Sequence, residues 1–471
     1  MKKLIPVILI EGASVMIVEL CSAKLLSPYF GNSLYVWASV LSVTLGGLAS
    51  GYFYGAKLCL KENIRSVLAI IILLSSISLA VLPLISKYLI PNLVLLDFKI
   101  SVLLSSMLLI FPSVFLLGSF SPVIIQFAGR DLKIPGNIAG TIYGYSTIGG
   151  IISTLAAGFY MIPELGISNT LYSFSFLLLI ASLILMKSKT QLYTFIIFIA
   201  SLLLTLMIKE DTNKLFSSYG ILGKVEVEEV KENGSSYRRL IVDGIIQTEI
   251  DTDSKEATMP YLQKMDSLFE SSRKHGKKAL LIGLGGGVLA NKLVMHGYDV
   301  ESVELDSRIY EAAIKYFHLS PQVKVTIADG RKYINNNHSK YSMIILDVFH
   351  GEVQPPHLIS WQSFSKVNNL LSENGKLVLN WHGYYDGELG KGTQILISTI
   401  KASGFSALPL FTGSNPDYRN TILFCEKSDL NDWDNNSLIT TDDKPSIELA
   451  NAEANLRWRV NYHNYYRYRK Q

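Results

Sequence analysis

The stretch KKALLIGLGGGVLANKLVMHGYDVESVELD, residues 277–306, decides how the C-terminal half of the chain folds. Two lysines lead into Ala279–Ile282, an apolar run that stops at a glycine and predicts a buried strand. The turn Gly283-Leu284-Gly285-Gly286-Gly287 follows at once, and then a helix from Val288 to about Met295. After Gly297, Val300–Leu305 predicts a second strand, with Glu304 at its end and Asp306 just beyond. Glycines permit a tight turn and let a ligand come close to the backbone. An acid about twenty positions on can accept hydrogen bonds from ribose hydroxyls. Glu304 suits that task best and Asp306 is the second choice. The glycine loop alone is shared by dinucleotide binders and S-adenosylmethionine binders, and both readings stand at this point.

The alternation continues downstream. Ser307–Phe317 predicts a helix, Val323–Ala328 a strand followed by Asp329-Gly330, and Arg331–Asn336 a further helix. Tyr341–Leu346 predicts a strand ending at Asp347, His357–Leu371 contains a helix, and Leu377–Trp381 is another strand. Together these predict a doubly wound, Rossmann-like α/β domain over 276–456, with ligands beyond the carboxyl ends of its strands. Glu304, Asp329 and Asp347 all fall at such ends, and helix capping is the competing use for each. Upstream, residues 209–275 predict a small β-rich module. Val225–Val230, Tyr237–Val242 and Ile245–Ile250 are its strands, Asp243-Gly244 a turn, and Ala257–Phe269 a helix. Residues 457–471 form a basic, tyrosine-rich tail expected to pack its aromatics back on the domain.

Residues 1–208 differ in kind. Long Leu, Ile and Phe runs predict a multi-pass α-helical transmembrane domain, with spans near 6–26, 34–56, 66–86, 100–127, 137–160, 170–186 and 190–208. Lys2 and Lys3 before the first run imitate a leader, but Glu11 and Glu19 interrupt it, so it is read as a first span. Gly47, Gly51 and Gly55, and later Gly136, Gly140 and Gly144, have the spacing of closely packed helices. A carboxylate inside a bilayer needs a partner, and pairing with Lys24 is the expectation for Glu19. Lysines and arginines gather at one set of loops, and with seven spans the positive-inside rule would put the C-terminal half outside the cell.

Composition closes other routes. Three cysteines, Cys21, Cys59 and Cys425, give neither a disulfide framework nor a metal-ligand cluster. A net charge of +4 with dispersed basic residues offers no groove for nucleic acid.

At these residues the chain resembles the spermidine synthase family, and more closely its membrane-fused members. The resemblance is carried by Glu19–Gly55 and Gly140–Gly158 in the membrane half and by Val242–Gln247. It continues through Val303-Glu304-Leu305-Asp306, Asp329-Gly330, Ile345-Leu346-Asp347 and Thr441-Asp442-Asp443-Lys444-Pro445. It implies a fold of the methyltransferase and spermidine-synthase type, and aminopropyl transfer from decarboxylated S-adenosylmethionine to an amine such as putrescine. S-adenosylmethionine and methyl transfer are the alternative, and a sensor or transporter without turnover is another. It implies that Gln247 holds the donor's amino or ribose end, that Gly283, Gly285, Gly286 and Gly287 wrap the nucleoside, that Glu304 binds the ribose hydroxyls, and that Asp329, next to Gly330, faces the adenine amine. Asp347 would lie beside the reacting centre. The resemblance also implies a homodimer in the plasma or inner membrane, with the nucleoside domain in the cytoplasm against the charge pattern. No tightly bound cofactor is expected.

One departure bears on catalysis. Soluble members carry a second aspartate a few residues after the one matched by Asp347; here the segment reads Asp347-Val348-Phe349-His350-Gly351-Glu352. His350 has the unperturbed range of a general base, and Asp347 and Glu352 supply negative charge for an amine. Tyr261, His357 and Trp381 are the expected aromatic walls.

Overall fold

The computed structural model describes residues 4–31, 34–94, 96, 98–129, 135–186, 199, 214–220, 223–232, 234–273, 276–349, 353–417, 419–428 and 437–469. They fall into two compact units, Met1–Thr212 with Ser218–Gly223, and Asn213–Ser217 with Lys224–Gln471.

The first unit is a bundle of long apolar helices. Ile5–Phe30 (α1), Leu34–Leu58 (α2), Ile64–Tyr88 (α3) and Phe98–Gly129 (α5, after the short α4, Ile90–Leu93) are each able to cross a bilayer. A fifth run, Gly136–Leu185, is 50 residues long. At 1.5 Å per residue a straight helix of that length would measure about 75 Å, against a hydrocarbon core of about 30 Å. It is not straight: Pro135–Ala156 (α6) passes through a π turn at Ala157–Met161 into Ile162–Leu185 (α7), which is broken at Gly166 (φ 80°, ψ 170°). Both α6 and α7 pack on α1, so the run folds back and covers the fifth and sixth predicted spans. The predicted span 190–208 lies, but for Ile199, outside the described residues. The protein is a multi-pass membrane protein with a separate α/β unit.

Glycine and serine bring these helices together. A Cβ at Gly51 or Gly55 would lie 2.4 Å from the carbonyl oxygen of Phe115 or Ser119, so α2 and α5 touch backbone to backbone. Ser76 and Ser175 exchange hydroxyl-to-carbonyl hydrogen bonds between α3 and α7. Gly136, Gly140 and Gly144, by contrast, face open space, which corrects the close packing expected of them. Glu19 and Lys24 do not form an ion pair among the described residues. Five positions on an α-helix turn the side chains about 140° apart, onto different faces.

The smaller sheet, most of which belongs to the second unit, takes four strands in chain order, Lys214–Gly220 (β1), Gly223–Glu232 (β2), Ser235–Val242 (β3) and Ile245–Asp251 (β4), with β2 and β3, and β3 and β4, antiparallel. Asp243 (φ 46°) and Gly244 (φ 80°) make the two-residue turn that joins β3 to β4. Helix α8 (Pro260–Arg273) leads into a seven-stranded sheet of order β10-β11-β9-β8-β5-β6-β7. Its strands are β5 (Lys278–Ile282), β6 (Asp299–Glu304), β7 (Lys324–Ile327), β8 (Tyr341–Leu346), β9 (Leu371–Trp381), β10 (Phe405–Phe411) and β11 (Thr421–Lys427). The first five are mutually parallel, and β11 and β10 close the edge antiparallel. The crossovers include α9 (Val288–Met295), α10 (Ser307–Phe317), α11 (Gly330–Asn336), α12 (Trp361–Leu370) and α13 (Lys391–Ala402). Every residue of β8 is buried, as a central strand covered on both faces requires.

The small sheet packs Val225, Val227 and Leu240 against Phe317 of α10. The expected tail belongs to one helix, α14 (Ser446–Arg469), in which Trp458 and Arg459 are buried against the domain.

Candidate functional site

Chain order reverses between β6-β5 and β5-β8, and that switch point opens a crevice at the carboxyl ends of these strands. The glycine loop leaves β5 there. Gly283 donates its N–H to Val303 O, and Asp347 donates its own to Ile282 O, both at 2.9 Å. Gly283 has φ +92°, and a Cβ on it would sit 2.1 Å from the Asp347 carbonyl oxygen. Only glycine fits, because both the torsion and the space exclude a side chain. The loop is pinned at two further points. Gly286 donates to Thr248 Oγ1 of β4 at 2.8 Å, and Glu304 accepts from the N–H groups of Leu284 and Asp306 at 3.0 Å each. Gln247 is half-buried beside Thr248 on β4.

The acids at the strand ends have different occupations. Glu304 is buried, its burial raises its pKa, and each of its oxygens already holds a backbone N–H. Asp306 caps α10 by accepting from Arg308 N and is paired with the Arg308 guanidinium. Asp329 caps α11 by accepting from Lys332 N, and its other oxygen lies 3.1 Å from His357 Nε2. It lines a depression of about 590 Å³ with Lys332, Tyr333 and His338. The adjoining Gly330 leaves room for the Ile282 side chain beneath it.

Among the described residues, no backbone N–H donates to the Asp347 carboxylate. Asn380 Nδ2 donates to Oδ1 at 2.9 Å, and the Tyr261 hydroxyl lies 3.3 Å from Oδ2. Asn420 in turn donates to Asn380 Oδ1 at 2.9 Å. Desolvation raises the Asp347 carboxyl to about 6, although the two side-chain donors pull it down. Desolvation and the neighbouring Asp347 raise the Tyr261 phenol well above its ordinary value.

Tyr261 and Asn420 also line a cavity of about 500 Å³, with Met259, His382, Asp417 and Trp458. Two other acids reach it, and each is met by an arginine: Glu249 by Arg239 and Asp417 by Arg457. Asp347, just behind the wall, is met among the described residues only by neutral donors. Its main chain backs the glycine loop while its carboxylate reaches the cavity wall, so it stands between the two. His382 is held between Phe349 (4.2 Å between ring centres) and Trp458 (4.3 Å). Desolvation lowers His382 to about 3, which keeps the imidazole neutral.

Of the expected aromatic walls, Tyr261 lines the cavity. His357 does not line that cavity and instead lies beside Asp329. Trp381 is fully buried, donating its indole N–H to Thr393 Oγ1 at 2.8 Å, so it is core beneath the site and not a wall. His350 and Glu352 lie outside the described residues. Thr248, Asn380, His382, Asn420 and Trp458 were not singled out by the sequence. Asn380 and His382, which flank Trp381 at the carboxyl end of β9, carried a usable signal, since that end faces the same crevice.

Residues 259–383 match the model of the spermine/spermidine synthase domain. Among curated relatives, an N-terminal histidine N-methyltransferase of Emericella nidulans is 32% identical over 164 residues, 32% of this chain and 28% of that enzyme. A probable polyamine aminopropyl transferase of Bifidobacterium longum is 30% identical over 155 residues, 32% of this chain and 34% of that protein. The match thus spans about a third of the length of these relatives. Among solved structures, spermidine synthase from Thermotoga maritima aligns with a TM-score of 0.38 at 18% identity, covering 51% of this chain and 88% of that one. The chain carries a spermidine-synthase-like domain behind an N-terminal multi-span helical region.

Proposed function

From a spermidine-synthase-like domain joined to a multi-span membrane region, we propose that the protein transfers an aminopropyl group from decarboxylated S-adenosylmethionine to an amine. The observation that carries this reading is Asp347, an acid that among the described residues meets only neutral donors, between the glycine loop and a cavity walled by Tyr261, His382 and Trp458. The donor's sulfonium already activates the carbon under attack, so the chain has to hold the partners in line and take up a proton. The Asp347 carboxylate takes the proton that the bound ammonium must lose, and the freed lone pair forms the new C–N bond. The C–S pair returns to sulfur, which leaves as neutral methylthioadenosine, and the product amine carries away the positive charge as an ammonium. With a pKa of about 6, Asp347 is ionised at neutral pH and basic enough to assist. Aromatic faces around the cavity favour the cationic amine before it is deprotonated. Gly283–Gly287 would wrap the donor, with Gln247 at its amino or ribose end and Glu304 accepting from the ribose hydroxyls through lone pairs that its two backbone donors leave open. The nucleoside domain would face the cytoplasm, where such donors are made.

A second reading, methyl transfer from S-adenosylmethionine, is favoured by the identity to the histidine N-methyltransferase. Donor choice separates the two. The detergent-solubilised full chain is incubated with each donor and a panel of amines. Methylthioadenosine and an aminopropylated amine, formed only with the decarboxylated donor, are expected. A methylated amine with S-adenosylhomocysteine would replace this reading by the second.

A further inference from the structure

We propose that the helical unit carries a binding site for one protonated amine borne on an apolar chain, with Glu11 as its counter-charge. Glu11 is 3% exposed on α1 and lines a cavity of about 430 Å³ between α1, α2 and α6. Two glycines put it there. A Cβ on Gly12 would sit 2.0 Å from Ser146 O, and one on Gly149 would sit 2.1 Å from Leu9 O. The two backbones therefore touch on both sides of Glu11, and the geometry around it is fixed.

Within that geometry the protein provides for the carboxylate only in part. Ser146 Oγ donates to Oε2 at 2.9 Å, and among the described residues that is its single hydrogen bond. Among the described residues, no lysine, arginine or histidine lines the cavity. An acid in a membrane interior is costly to keep ionised unless a cation meets it, so an unanswered one beside an open cavity marks a cation site. A membrane helix that needed only a clamp to α6 could use a hydroxyl, as Ser153 does when it donates to Ala13 O on the same helix pair.

The walls define the cation. Tyr52 and Tyr143, 37% and 45% exposed, border the cavity with Glu11, and aromatic faces suit an ammonium. Ile151 and Leu155, each more than half exposed, continue the wall outward along α6 as apolar surface. One carboxylate balances one ammonium. A polyamine would bring further charges into the same apolar surroundings with nothing to meet them, whereas an alkyl chain finds Ile151 and Leu155.

This site is independent of the transfer reaction, and its test does not use turnover. The full chain in lipid nanodiscs is titrated with spin-labelled dodecylamine and with the matching spin-labelled dodecanol. Saturable binding of the amine, at least tenfold tighter than the alcohol, is expected. Glu11→Gln, which keeps the size and a hydrogen-bond acceptor for Ser146, should remove that preference. Tyr143→Leu should weaken amine binding about threefold by loss of a cation–π contact. Equal binding of amine and alcohol by the wild-type chain overturns the proposal without recourse to any variant. So does an unchanged preference in a folded Glu11→Gln protein, or displacement of the probe by spermidine as effective as by unlabelled dodecylamine.

Discussion

The ends of β6 and β8 carry acids that look alike in sequence and are used differently. At β6, Glu304 holds two backbone N–H groups and Asp306 caps the next helix, so both acids are occupied in shaping the chain. At β8, Asp347 is held by a tyrosine hydroxyl and an asparagine amide, and among the described residues its side chain answers to no main-chain group. The difference separates acids that build the loop from an acid free to do chemistry beside it. A carboxylate committed to backbone donors cannot release them without unfolding a turn. One held by side chains can exchange a donor for a ligand.

The largest expected effect tests whether the two ends are welded together. Gly283→Ala places a Cβ where the Asp347 carbonyl now lies and adds strain at φ +92°. A loss of about 3 kcal/mol or more is expected, read as a lowered thermal midpoint of the α/β unit in the full chain. A midpoint within a degree of wild type would mean that loop and strand end are not coupled.

Next comes the chemical half of the contrast. Asp347→Asn preserves shape and one acceptor while removing the base. Transfer should slow by about 100-fold, as expected for loss of a general base, with little change in thermal midpoint. Glu304→Gln should behave in the opposite sense. It replaces one of two acceptors with an amide donor facing a backbone N–H, at a cost of about 2 kcal/mol, and it weakens donor binding more than it slows turnover. If the two variants exchange these signatures, the assignment of roles is reversed. Asp306→Ala should be milder, about 1 kcal/mol for a lost N-cap, with kcat unchanged once the protein is saturated with donor.

How much of this was legible in the sequence follows from how local each cause is. The strand, glycine loop and helix at 278–295 are set by neighbours in the chain, and Val288–Met295 and Ser307–Phe317 fall where their periodicity puts them. The same locality made Glu304, Asp306 and Asp329 visible as strand-end acids. It could not tell capping from binding, because that depends on where backbone N–H groups point. The cavity wall is non-local: Tyr261 precedes β5, Asn420 opens β11, and Trp458 lies on the last helix. The edge hairpin β10–β11, which carries Asn420 into place, has no glycine fingerprint to announce it. In the membrane half, hydropathy located the apolar runs. Which glycines touch another helix was hidden, since Gly51 and Gly140 differ only in what lies opposite.

The smallest expected effect concerns the proton that the comparison assigns to β8. In the folded chain Asp347 holds its proton up to about pH 6, because desolvation outweighs the help of Asn380 and Tyr261. An unfolded aspartate releases it near pH 4. The folded state therefore binds the extra proton between these values, and this group's contribution to stability is full below about pH 4 and lost as pH rises through 6. A carboxyl-carbon NMR titration of the full chain should show one midpoint near 6 that disappears in Asp347→Asn. Tyr261→Phe should move that midpoint upward by a fraction of a unit, because the phenol stabilises the ionised form across a 3.3 Å contact. A downward move would mean that the tyrosine's main effect on Asp347 is to exclude water, and that the cavity wall, more than the hydrogen bond, sets the basicity of the site.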